Sequence, residues 1–131
     1  MAGEASYPDV SPLVGLIVDE ICVTWHLRLY FHSGAVVDDL PRTYVAFTRF
    51  RFVDRGAPEH EVNIERDPEG AGPALRVLHR RVATASVEKW ELRLEFDDGS
   101  RLLCAPDSDY EAWEMFSPHL ETLVFCPVGG E

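Results

Sequence analysis

Trp25-His26-Leu27-Arg28-Leu29-Tyr30-Phe31-His32-Ser33-Gly34 and Trp90-Glu91-Leu92-Arg93-Leu94-Glu95-Phe96-Asp97-Asp98-Gly99 share the pattern W-x-L-R-L-x-F-x-x-G, and they stand 65 residues apart. In both, apolar side chains alternate with polar ones. Successive side chains of a strand point to opposite faces. Each stretch is therefore predicted as a half-buried strand. Trp25, Leu27, Leu29 and Phe31 face the core in the first, and Trp90, Leu92, Leu94 and Phe96 in the second. Gly34 and Asp98-Gly99 supply hairpin turns, since Gly tolerates positive φ. Returning strands are expected at residues 35–37 and 101–104.

The match continues outward at the same offset. Leu13 falls on Leu78, Ile17 on Val82 and Pro41 on Pro106. With one residue of slip, Tyr44-Val45-Ala46-Phe47 falls on Tyr110-Glu111-Ala112-Trp113. Collinear matches on both sides point to an internal repeat, about 13–65 and 78–126, with a linker at about 66–73. Further strands are expected at 16–23, 46–53, 61–65, 82–87, 110–116 and 122–126. Thr48, Phe50 and Phe52 share one face, and Val62 and Ile64 point inward. The linker Asp67-Pro68-Glu69-Gly70-Ala71-Gly72 reads as irregular, and Pro73 opens one short helix over 74–79. The expected fold is mainly β: a small barrel or sandwich of two pseudo-repeated β-units with at most one short helix, in a single domain over 1–131.

Composition bounds the function. The chain has 131 residues, 46% hydrophobic and 27% charged, which suits one globular domain. Acids outnumber bases 23 to 12, for a formal charge of −11. Such a surface repels nucleic-acid phosphates and anionic lipid, and it suits solubility or docking onto a basic protein partner. Eleven of the twelve basic residues are Arg, a bias expected of a GC-rich bacterial genome. Cys22, Cys104 and Cys126 are widely spaced in apolar surroundings, so free thiols are expected, with no disulfide framework and no metal site. The first ten residues lack the features of a signal peptide, and the apolar run 13–18 is too short to span a bilayer. A cytoplasmic location is expected.

One further set of residues is distinctive: Leu13-Val14-Gly15, Asp67-Pro68-Glu69 with Pro73-Ala74-Leu75, Phe96-Asp97-Asp98-Gly99, Pro106-Asp107, Tyr110-Glu111-Ala112-Trp113, and Cys126-Pro127 with Gly129-Gly130-Glu131. In this order they resemble a family of short uncharacterised proteins from GC-rich bacteria. That family carries a YEAW segment and a C-terminal C-x-PGGE-like motif, from which Val128 departs here. The resemblance implies a fold and no activity.

No sequence signature of catalysis is present. His60-Glu61 begins like H-E-x-x-H, but Ile64 stands where the second His belongs. His26, Arg28, Tyr30 and His32 share a strand face, but His26 and His32 lie roughly 20 Å apart at about 3.3 Å per residue, too far to hold one metal. A solvated face is the simpler reading. Glu91 and Glu95 lie about 13 Å apart on the same basis, beyond a glycosidase pair, with Arg93 between them. A cross-strand charge ladder accounts for them. The densest aromatic segment is 110–116. There Tyr110, Glu111, Trp113 and Glu114 are the candidate partner-binding residues, because acids among aromatics suit a basic partner and aromatics anchor interfaces. Core packing of Trp113 is the plainer alternative. No catalytic residue, metal ligand or cofactor is assigned. The leading expectation is a non-enzymatic protein-binding module, such as a toxin-neutralising immunity-type protein. The alternatives are a small-molecule-binding or enzymatic barrel with a pocket between the halves, and a scaffold subunit.

Overall fold

The computed structural model describes residues 7–32, 42–56, 59–118 and 122–130. Both deciding stretches form strands. In β2 (Leu27–His32), Leu27, Leu29 and Phe31 are buried and the residues between them half-buried. In β7 (Glu91–Phe96), Leu92, Leu94 and Phe96 are buried. Each pairs antiparallel with the strand before it, β1 (Ile17–Val23) or β6 (Val82–Glu88). Both of these partners carry a register shift near their start, at Val18/Glu20 and at Val82/Thr84. The other strands are β3 (Thr43–Phe47), β4 (Arg49–Val53), β5 (Glu59–Asn63), β8 (Arg101–Cys104), β9 (Trp113–Ser117) and β10 (Thr122–Phe125).

The strands form two five-stranded antiparallel sheets. The front sheet runs β1-β2-β3-β9-β10 and the back sheet β5-β4-β8-β7-β6. They are not closed into a barrel. Exchanging β1–β5 with β6–β10 turns one order into the other. Each sheet thus takes three strands from one half of the chain and two from the other. Backbone bonds join the halves again where β1 and β6 begin. Val82 N–H donates to Leu16 O (2.8 Å), Val18 N–H to Arg80 O (2.9 Å) and His79 N–H to Val18 O (2.8 Å). Between the sheets lies one buried cluster, including Phe47 and Phe50 with ring centroids 4.8 Å apart, Phe52, Leu94, Trp113 and Met115. Each large apolar side chain buried there contributes about 1.5–3 kcal/mol.

Several expectations are corrected. Trp25 and Trp90 do not open core-facing strands. Both sit in the hairpin turns before β2 and β7. Glu88 pairs with Glu91, so Lys89 and Trp90 form a two-residue turn, with φ of 52° and 64°. Two left-handed residues give the turn whose twist matches antiparallel strands. Trp90 still packs on Trp113 (6.4 Å) and Tyr7 (5.5 Å), while Trp25 is 76% exposed. Residues 46–53 are not one strand, because the chain leaves the front sheet after Phe47 and enters the back sheet at Arg49. The slipped match of 44–47 with 110–113 does not follow the topology, in which β3 corresponds to β8. The linker is ordered: Pro68–Val77 is a 3-10 helix that buries Ala71, Ala74 and Val77. Pro73 lacks the N–H an α-helix would use there, and the tighter turns suit so Gly-rich a stretch. The hairpin expected at Gly34, the strand at 35–37 and the Pro41 match lie outside the described residues.

Candidate functional site

The outward face of the front sheet carries two rows in cross-strand register. One row reads Glu20, Tyr30, Tyr44, Phe116, Leu123. The other reads Cys22, Arg28, Ala46, Glu114, Phe125. Alternation places these side chains opposite Leu29, Val45 and Met115, which are buried. The rings form a ladder. Tyr30 and Tyr44 lie 6.0 Å apart, and Tyr44 stacks on Phe116 at 5.9 Å. Two guanidinium groups lie on the rings, Arg28 over Tyr44 at 4.3 Å and Arg42 over Tyr30 at 4.2 Å. The Tyr44 hydroxyl donates to a Glu114 carboxylate oxygen at 2.8 Å. Burial, that bond and the Glu114 charge together push the Tyr44 phenol up to about 12. Burial and the Arg28 charge lower the His26 imidazole, against the pull of Glu114. At the open end of the ladder, Leu123 is 50% and Phe125 44% exposed.

The back sheet supplies an internal control. Its corresponding rows read Thr84, Glu95, Arg101, Val53, Glu59 and Ser86, Arg93, Leu103, Arg51, Glu61. Where the front face has Tyr30, Tyr44 and Leu123, the back face has Glu95, Arg101 and Glu59. Ion pairs lace it together: Arg51 with Glu59 (3.0 Å) and Glu91 (3.3 Å), and Arg93 with Glu91 (2.7 Å) and Glu88 (2.9 Å). This is a solvated face, and Glu91 and Arg93 belong to a charge ladder. The fold therefore does not require aromatics at the outward positions, since the same topology carries charges on its other side.

The four residues singled out in the sequence are distributed among several environments. Trp113 is 1% exposed, and its indole N–H donates to the Trp90 carbonyl at 2.9 Å, so it is core. Glu114 lies on the outward front face, bound to Tyr44. Glu111 is exposed at the rim of a shallow cleft that also includes His26, Thr48 and Glu114. Tyr110 is half-buried with the Arg49 guanidinium 5.8 Å from its ring, and burial and Asp107 push its phenol up. β9 lies between β3 and β10 and is not an edge strand. Sequence reasoning missed Tyr30, Tyr44, Phe116, Leu123 and Phe125 as one surface. The parity of each strand was readable, but the pairing of β3 with β9 across the two halves was not.

Two packed antiparallel sheets with unlike outer faces, one aromatic and one charged, define a mainly β protein with an aromatic outer surface. Residues 9–131 match a family of unknown function (DUF6188), and the chain belongs to that family. No curated protein and no solved structure matches the chain. Among the described residues, no helix is long and apolar enough to cross a membrane.

Proposed function

We propose that the chain is a non-enzymatic protein-binding module, of the kind that neutralises a toxin, and that it presents the outward face of its front sheet to a basic protein partner in the cytoplasm. One observation carries the reading: equivalent positions of the two sheets hold Tyr30, Tyr44 and Leu123 on one side and Glu95, Arg101 and Glu59 on the other. Large aromatics at half-exposed positions offer contact area with few rotatable bonds and are enriched where interfaces concentrate their energy. The −11 charge speeds encounter with a basic surface, Glu114 places an acid beside the rings, and Glu111 shares a cleft with Glu114. Arg28 and Arg42 hold the rings in place from within the face.

The test compares capture by three forms of the chain: the parent, Tyr30→Ser with Phe116→Ser on the front face, and Glu95→Ser with Arg101→Ser on the back. The parent and the back-face form should retain the same partner, and the front-face form should lose it. Glu111→Gln with Glu114→Gln should weaken binding, most at low salt. Equal retention by the front-face form, with its melting temperature unchanged, overturns the reading.

A further inference from the structure

Among the described residues, the two open sheets have four edge strands, and three are guarded. β1 and β6 each carry a register shift, and their starts are hydrogen-bonded to the opposite half of the chain. β5 bears Glu59, His60 and Glu61. β10, Thr122-Leu123-Val124-Phe125, has no charge, no proline and no shift in its register with β9. Shifts and charges are among the devices that keep an edge from pairing, and β10, though only four residues long, lacks both and so offers a short template for another strand. Among the described residues, β10 pairs with β9 alone. The Cys126 N–H donates to the Trp113 carbonyl. Alternation of an antiparallel ladder then directs the backbone of Val124 at β9, and that of Leu123 and Phe125 away from it. Leu123 and Phe125 thus combine exposed side chains with outward-directed backbone groups.

We propose that a second copy of this chain completes the edge, β10 against β10, antiparallel about a twofold axis at Val124. In that register Leu123 of each copy lies opposite Phe125 of the other, and each such pair exchanges both backbone bonds. The opposed side chains are apolar and on the same outward face. The register is self-complementary, as a twofold interface must be. An uncharged strand offers a basic partner nothing to select, whereas an identical strand matches it at every position. Pro127 has no N–H to donate, which ends the ladder and keeps the contact to this short segment. The pairing uses up the free edge of both copies, so it closes at the dimer. It also joins two front faces into one continuous surface.

Sedimentation of the full chain up to about 100 μM should show a reversible dimer. Leu123→Lys with Phe125→Lys should lower the association constant more than about tenfold and leave melting nearly unchanged, because both side chains are already half-exposed. Leu123→Pro removes one outward N–H and no bond to β9, and should do the same. Amide exchange reads the parent chain directly: Leu123 and Phe125 should be protected at high concentration and released on dilution, with Val124 unchanged. Both copies are acidic, so added salt should strengthen the dimer, whereas it weakens binding of a basic partner. Failure of one reading is thereby distinguished from failure of the other. A parent chain that stays monomeric at the highest concentration overturns the proposal. So does a dimer in which the Leu123 and Phe125 amides exchange freely.

Discussion

Tyr44 shows how one residue's surroundings set its chemistry. Its hydroxyl donates to Glu114, its ring lies between Tyr30 and Phe116, and Arg28 covers it. Ionising the phenol would place a second negative charge beside Glu114 in a partly desolvated site. The folded pKa therefore stands near 12, above its ordinary value of 10. A group raised by folding contributes stability below its unfolded pKa and loses it as pH rises through the folded one. That loss should fall between about pH 10 and 12. Absorbance of the four tyrosines should show a late phenolate step that shrinks in Tyr44→Phe. An unchanged late step would assign it elsewhere. Nothing in the sequence marked Tyr44 as a partner of Glu114, which reaches it from 70 positions away through strand pairing.

At the scale of elements, the two tryptophans of the shared pattern have parted ways. The strands that follow them keep the same three buried positions, as their alternation foretold. The tryptophan ahead of each strand departs from that alternation because the chain turns there and period two ends with the strand. Turn geometry, not alternation, decides Trp25 and Trp90. Leu94→Ala should cost about 2–5 kcal/mol, since it opens a cavity in a filled core. Trp25→Ala should cost no more than about 0.5 kcal/mol, since it removes little buried surface. Trp90→Ala should fall between them, having lost its contacts with Trp113 and Tyr7. Chemical denaturation of the three variants gives the order directly. A Trp25→Ala cost equal to that of Leu94→Ala would contradict the exposed turn. The 3-10 linker was hidden for a related reason: its Gly and Pro content reads as loop, and only Ala71, Ala74 and Val77 meeting the core make it an element.

For the whole molecule, local pattern carried the class of fold and most strand positions, but not the arrangement of the strands. Strand alternation reports which face is buried and says nothing of which strands are neighbours. The break at Thr48 was invisible because Phe47, Phe50 and Phe52 are apolar on either side of it. That break has a consequence for how the protein comes apart. Since the chain changes sheets there, losing either half strips two strands from the sheet that the other half mostly builds. No half-length state retains a complete layer. Heating or denaturant should therefore give one transition, with calorimetric and van't Hoff enthalpies in agreement and with probes in β2 and β7 melting together. Two separated transitions would show that the halves are independent. With a single transition, a protease meets the chain only as native or fully open, with no surviving fragment to mark the way.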